Sequence, residues 1–349
     1  MTPADHAAIL GVGYCVPEFI RTNDDPVFAW LNAHHAADKD IFTGLAERRV
    51  LARPGDVIDI MVTAATRALD DAGILPAEVD LLLGSASVGQ FLAPNDLAAV
   101  HAALKLSDQC RIFPLNTEYT IFHDGMKLAS DLVKAGTAKC ALVVCGCNWT
   151  HHVDYHESVA LAAADGAGAA VVGASSDPVK FRLVDWENET NTEWFGAFRM
   201  AQRRLYAAQA PSPETGLPDS TLYSTLDSTL YSTTLIKLDD QRGGAAVKQF
   251  GLPAPARVVK RLLERNKVPA GDVTLIAHQT SRFVQDAWSA AIQPGQYVST
   301  LEVYGDMVSA SVPVNLARCY ADIRMDKLVL LGIGMEMRAT ALLYSRGPA

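Results

Sequence analysis

The pattern of apolar and polar positions predicts an alternation of helices and buried strands. Over residues 58–72 apolar side chains recur on one helical face, Asp70 and Asp71 lie near the end, and Gly73 is placed to cap it. Residues 79–84, Val-Asp-Leu-Leu-Leu-Gly, sit between Pro76 and a Ser-rich segment and are too few for a helix, so they predict a buried strand. A helix at 97–104, a strand at 111–115, a helix at about 122–135, a strand at 140–145 and a strand at 167–172 follow on the same grounds.

The second part of the chain repeats this order. A helix at 254–266 is followed by Pro269 and a strand at 273–278, then a helix at 282–292, a strand at 297–301, a helix at 309–321 and strands at 327–331 and 339–344. Matching Leu83 with Ile276 gives a separation of 193 residues (276 − 83), and matching Lys139 with Lys327 gives 188 (327 − 139). Separations this close predict two duplicated α/β halves. The pattern breaks over 195–240, which holds Pro211, Pro213, Pro218 and the near-repeats 221–225 and 229–233, both Thr-Leu-Tyr-Ser-Thr. This stretch reads either as a solvated insertion or as a lid, because long inserted loops often carry function. The expected division is an N-terminal half at 1–174, a linker and insertion at 175–245, and a C-terminal half at 246–349.

Charge and composition narrow the function. The 30 Lys and Arg against 39 Asp and Glu leave a net charge of −9 with no basic run, which argues against nucleic acid as a partner. At 49% hydrophobic and 20% charged, the 349 residues are those of a globular protein with a sizeable core. No apolar run approaches the roughly 18 residues of a membrane span, since even 159–173 is interrupted by Asp165. No Lys or Arg precedes the short apolar segment 7–12, so no secretory signal is expected. The six cysteines are too sparse for a disulfide scaffold, and a reduced, cytoplasmic protein is expected.

Ligands of parallel α/β sheets bind beyond the carboxyl ends of the strands, where helix N-termini also point. Three turns should meet there: 116–120, 278–281 and 304–309. The first and third correspond across the duplication if Tyr119 is matched with Asp306, so Tyr119, His278 and Asp306 fall at one candidate site.

The segments 42–49 (Phe-Thr-Gly-Leu-Ala-Glu-Arg-Arg), 164–170 (Ala-Asp-Gly-Ala-Gly-Ala-Ala), His278-Gln279, 304–313 (Tyr-Gly-Asp-Met-Val-Ser-Ala-Ser-Val-Pro) and Gly332-Ile333-Gly334 resemble the β-ketoacyl-ACP synthase III branch of the thiolase-fold condensing enzymes. The resemblance implies a thiolase-like five-layered αβαβα core made of two duplicated halves, a homodimer, an acyl carrier protein or acyl-CoA donor, and no cofactor. Its departures carry the chemistry. Where the family has a nucleophilic cysteine at a helix N-terminus, this chain has Tyr119, and a phenol of pKa near 10 is a poor acyl acceptor. Where a decarboxylating member has Asn, this chain has Asp306, which would oppose a developing enolate. Asp306 suits orienting His278 as a general base toward a hydroxyl or amine, or capping the following helix, and both can hold. The family's Trp and Arg sandwich for adenine matches Asp38 or a neighbour and Glu157, which cannot stack, so a carrier-protein donor is favoured.

The expected site is therefore His278, Asp306 and Tyr119, with backbone N–H groups near Tyr119, Gly332, Ile333 and Gly334 as oxyanion donors. Glu118, Trp149, His151 and His152 are candidate substrate contacts, and Glu118 reads equally as a surface carboxylate. The cluster His151, His152, Asp154 and His156 lacks the spacing of a tetrahedral metal site, and no metal is expected. The glycines at 166 and 168 precede a strand and not a helix, so they form a turn and no phosphate cradle. Cys145 and Cys147 read as buried thiols. The expected function is an acyltransferase of specialised, polyketide- or fatty-acid-like metabolism that moves an acyl group from a thioester to a small-molecule hydroxyl, amine or carbon acceptor without an acyl-cysteine. The alternatives are a silent partner subunit of an active ketosynthase and a non-acylating condensing enzyme.

Overall fold

The computed structural model describes residues 6–34, 43–203, 233–238 and 241–347. The first half runs β1 (Ala7–Cys15), α1 (Val57–Ala72), β2 (Leu81–Ala86), α2 (Leu97–Leu104), β3 (Arg111–Pro114), α3 (Ile121–Lys134), β4 (Cys140–Cys147) and β5 (Gly166–Ala174). The second runs β6 (Arg182–Thr190), α4 (Pro253–Arg265), β7 (Val273–Ala277), α5 (Arg282–Ile292), β8 (Gln296–Val298), α6 (Ser311–Cys319), β9 (Lys327–Gly334) and β10 (Arg338–Ser345). The ten strands form one sheet in the order β8-β7-β9-β10-β6-β1-β5-β4-β2-β3. Reading outward from the β6–β1 seam, the two halves have the same order. In each, one strand pairs parallel with two neighbours, β2 with β3 and β4, and β7 with β8 and β9. The expected duplication is thus built into the sheet.

Three apolar clusters define the layers. The central one joins α3 and α6 to strands of both halves, through Phe122, Met126, Val312 and Leu316. A second packs α1 and α2 on the first half, and a third packs α4 and α5 on the second. Helices outside, half-sheet, helices between, half-sheet and helices outside make five layers, the thiolase-like αβαβα core. The α1 face toward the sheet is small, with Ala64, Ala65 and Ala68 fully buried, and β1 answers it with glycine: a Cβ on Gly13 would lie 2.2 Å from the Ala64 carbonyl oxygen. Helix and strand can approach this closely only without that side chain.

Three expectations change. The stretch 175–245, expected as linker and insertion, supplies strand β6. Its polar face hid it: Asp185, Glu187 and Glu189 face Arg257, Arg261 and Arg265 of α4, with Arg265 to Asp185 at 2.8 Å and Arg261 to Glu189 at 2.7 Å. Segment 7–12, read only for its lack of a signal, is part of β1. The match of Tyr119 to Asp306 shifts as well. Helices α3 and α6 are each preceded by a 3₁₀ turn, Glu118–Thr120 and Val308–Ala310, so Tyr119 corresponds to Ser309, and Asp306 to Asn116. The insertion begins as a strand at Phe198–Arg203 that pairs antiparallel with Thr233–Leu238. Residues 204–232, with most of the near-repeat, lie outside the described residues, as does Asp38. Among the described residues no helix is long and apolar enough to cross a membrane.

Candidate active site

Tyr119 stands in the elbow between β3 and α3. The residue before it, Glu118, has φ 29°, and its counterpart Val308 has φ 47°. Both lie in the left-handed region, which a β-branched residue such as Val308 enters only under strain of about 1–3 kcal/mol. The turns at Tyr119 and Asp306 both lie against His278 at the end of β7.

His278 follows β7, and its backbone N–H donates to the Leu331 carbonyl at 2.8 Å. Its side chain is fully buried, with the ring stacked on Tyr119 at a centroid distance of 5.1 Å and an interplanar angle of 18°. Gln279 braces the facing turn. Its Nε2 donates to the Gly305 carbonyl at 3.0 Å, and its Oε1 accepts from the Thr300 N–H and from Asn315 Nδ2, each at 2.9 Å. The Asp306 backbone is pinned in turn: its N–H donates to the Ala162 carbonyl at 2.8 Å, and its carbonyl accepts from Trp149 Nε1 at 2.8 Å.

The Asp306 carboxylate caps the following helical turn. Oδ1 accepts from the Val308 N–H at 2.8 Å and from the Ser311 hydroxyl at 3.3 Å. Oδ2 lies 3.9 Å from His278 Nε2, beyond hydrogen-bond reach, so the expected orienting bond is not made. The capping role holds. Burial pushes Asp306 up to about 7, opposed by the bonds from Val308 and Ser311. Burial, reinforced by nearby His123, pulls His278 down to about 3. Burial and the Asp306 charge hold the Tyr119 phenol well above its ordinary value, in the neutral form.

Tyr119, His278 and Asp306 share one cavity of about 340 Å³. Its walls are mainly apolar, with Leu45, Leu161, Phe198, Val284, Trp288 and Ile333 among them, and no Lys or Arg lines it among the described residues. Phe198 brings the first strand of the insertion into the wall. Trp149, Ile333 and Gly334 line the cavity as expected, whereas Gly332 does not, because its Cα faces the His123 ring. His151 and His152 are also absent from the wall; His151 Nε2 lies 2.8 Å from the Leu51 carbonyl, and His156 pairs with Asp154 at 2.8 Å on the surface. Cys147 packs in the same cluster as Tyr119 without lining the cavity, and burial raises its thiol far above the usual range. Cys145 belongs to the central core.

Glu118 is no surface carboxylate. It is buried on the far side of the elbow, bonded by the Ser87 hydroxyl, and burial together with nearby Glu336 pushes it up to about 8. A buried carboxyl raised in this way contributes its full stability below the unfolded value near 4.5, and that contribution is lost as pH rises toward 8. Glu118→Gln is therefore expected to raise the melting temperature at pH 8 relative to wild type and to change it little at pH 5, as read by calorimetry. The residues missed in the sequence are His123, Thr280 and Trp288. His123 lies four residues after Tyr119, one helical turn on, a spacing that marks it as a neighbour. The Thr280 hydroxyl lines the cavity with no hydrogen-bond partner.

The profile of the family described as 3-oxoacyl-[acyl-carrier-protein (ACP)] synthase III matches residues 113–195. The β-ketoacyl-[acyl-carrier-protein] synthase III of Natranaerobius thermophilus is 27% identical over 342 residues, covering 94% of this chain and 96% of its own. The crystal structure of the 3-oxoacyl-(acyl carrier protein) synthase III of Pseudomonas aeruginosa PAO1 superposes with a TM-score of 0.79 at 24% identity and covers 99% of both chains. Xanthomonas campestris OleA, solved as a cysteine-to-serine variant with bound lauric acid and lauroyl-CoA, gives a TM-score of 0.78 at 18% identity, covering 98% of this chain and 99% of its own. Fold and matches together define the class as the thiolase-fold acyl-transferring and condensing enzymes. Within that class, the chain is similar to the synthase III enzymes.

Proposed function

We propose that this protein is an acyltransferase of polyketide- or fatty-acid-like metabolism that passes an acyl group from a carrier-protein or CoA thioester directly to a hydroxyl, amine or carbon acceptor. The observation that carries this reading is the elbow residue. Tyr119 stands at the elbow as a neutral phenol with its ring against His278, while a carboxylate and an imidazole bound the same cavity. An un-ionised phenol is a weak nucleophile toward a thioester. Among the described residues no cation lines the wall, which favours an uncharged acyl group, since a second carboxylate there would be desolvated without a partner. The formed cavity ending on a buried imidazole supports an enzyme over a silent partner subunit. Backbone N–H groups around Tyr119 and Ile333 to Gly334 are the candidate donors to the tetrahedral oxyanion.

The test incubates the purified chain with acyl carrier protein thioesters and candidate acceptors and detects the product by mass. Intact-protein mass after incubation with donor alone is expected to be unchanged, and Tyr119→Phe is expected to retain activity within about tenfold, because it deletes only the hydroxyl. An acyl adduct mapped to Tyr119 would overturn direct transfer. A homodimer belongs to the same reading, and light scattering should give twice the 37.5 kDa of one chain.

A further inference from the structure

We infer that Asp306 takes the proton of the acceptor and that His278 serves as a neutral hydrogen-bond donor to the thioester oxygen. The inference rests on the acyl-transfer reading and reverses the roles of an imidazole base oriented by a carboxylate. Such a dyad needs an N–H···O bond of about 2.7–2.9 Å, and here Nε2 and Oδ2 stand 3.9 Å apart. The carboxylate is instead a fixed group on the cavity wall. Its Oδ1 is held by two donors, and its Oδ2 looks across the gap toward the imidazole. Neither nitrogen of His278 has a hydrogen-bond partner of good geometry among the described residues, and the one group that favours an imidazolium, the Val308 backbone, is outweighed by burial. The groups that face the pair are Tyr119 against the ring, Cys147 beside the carboxylate and His123 behind the imidazole. All three are neutral at pH 7, and burial keeps His278 neutral as well. A carboxyl near 7 is matched to general-base work at neutral pH, whereas an imidazole near 3 is too weak a base for it.

The step balances within these groups. The acceptor hydroxyl gives its proton to Asp306 Oδ2 as its oxygen bonds to the thioester carbonyl carbon. The carbonyl electron pair moves onto oxygen, where the His278 N–H donates to it. Collapse of the adduct re-forms the carbonyl and breaks the C–S bond, and the departing thiolate takes the proton back from Asp306. For an amine the same proton path applies.

The test separates donor from base. Glutamine at position 278 can donate a hydrogen bond but cannot accept a proton at neutral pH. His278→Gln is expected to keep kcat/KM within about tenfold of wild type, while His278→Ala loses about 10²–10³-fold, the cost of one oxyanion donor. In ¹⁵N NMR of the wild-type protein, with His278 assigned by difference from His278→Gln, its ring nitrogens should remain those of a neutral imidazole from pH 5.5 to 8.5. Wild-type kcat/KM should rise with pH through about 7 as Asp306 loses its proton. A His278 signal that titrates inside that window overturns the inference, whatever the variants do. If no donor and acceptor pair turns over, the acyl-transfer reading fails while the NMR measurement still decides the state of His278.

Discussion

Asp306→Asn lowers kcat/KM by about 10²–10⁴-fold, the range expected when a positioned general base is removed, and leaves the fold intact. An asparagine can keep both helix-capping bonds, because its Oδ1 still accepts from the Val308 N–H and the Ser311 hydroxyl. The backbone anchors to Ala162 and Trp149 do not involve the side chain. What disappears is the oxygen that faces His278 and can take a proton. Stability should move the other way. The protonated Asp306 contributes its full stability below about 4 and loses it as pH rises toward 7, so at pH 8 wild type holds a buried, ionised carboxylate that Asn replaces with a neutral amide. The variant should therefore melt higher than wild type at pH 8. Steady-state kinetics and calorimetry on the same preparation check both halves, and activity within tenfold of wild type would remove Asp306 from the chemistry.

Gly84→Ala is expected to cost about 3–6 kcal/mol, combining an overpacked core with a strained backbone, out of the roughly 5–15 kcal/mol that holds a protein folded. Gly84 has φ 131°, and a Cβ there would lie 1.8 Å from the Val144 carbonyl oxygen of the adjacent parallel strand. That atom is backbone in the middle of the sheet and cannot turn aside. The position also matters to the site, since the Gly84 carbonyl accepts the Leu115 N–H at 2.9 Å and so ties the segment leading to Tyr119 onto β2. Loss of soluble protein, or a fall of many degrees in Tm, is the expected readout. Gly271→Ala, where an added Cβ meets nothing within 4 Å, is the matched control and should melt close to wild type.

Most of the element order was legible because its signal is local. Helix α1, with its Gly73 cap at φ 65°, and the buried strands β2, β4 and β7 declare themselves by periodicity within a dozen residues. Strand β6 did not, because its charged face is satisfied by arginines about 70 to 80 positions away on α4. The duplication was visible in the separations, but its register at the site was not: the elbows fix Tyr119 against Ser309, and that depends on where each helix begins in three dimensions.

By itself the sequence determined the duplicated α/β plan, the presence of a tyrosine at the elbow and the presence of a carboxylate in the Gly305-Asp306 turn. Residue identity and local periodicity suffice for such statements. Tertiary structure decided what those residues can do. Glu118 turned from a surface candidate into a buried acid, His123 appeared behind His278, and Asp306 came to rest 3.9 Å from the imidazole it was expected to bond. The physical reason is that protonation and hydrogen bonding depend on burial and on separations of a few ångströms. Those are set by packing among β3, β7 and α6, segments that lie far apart in the chain.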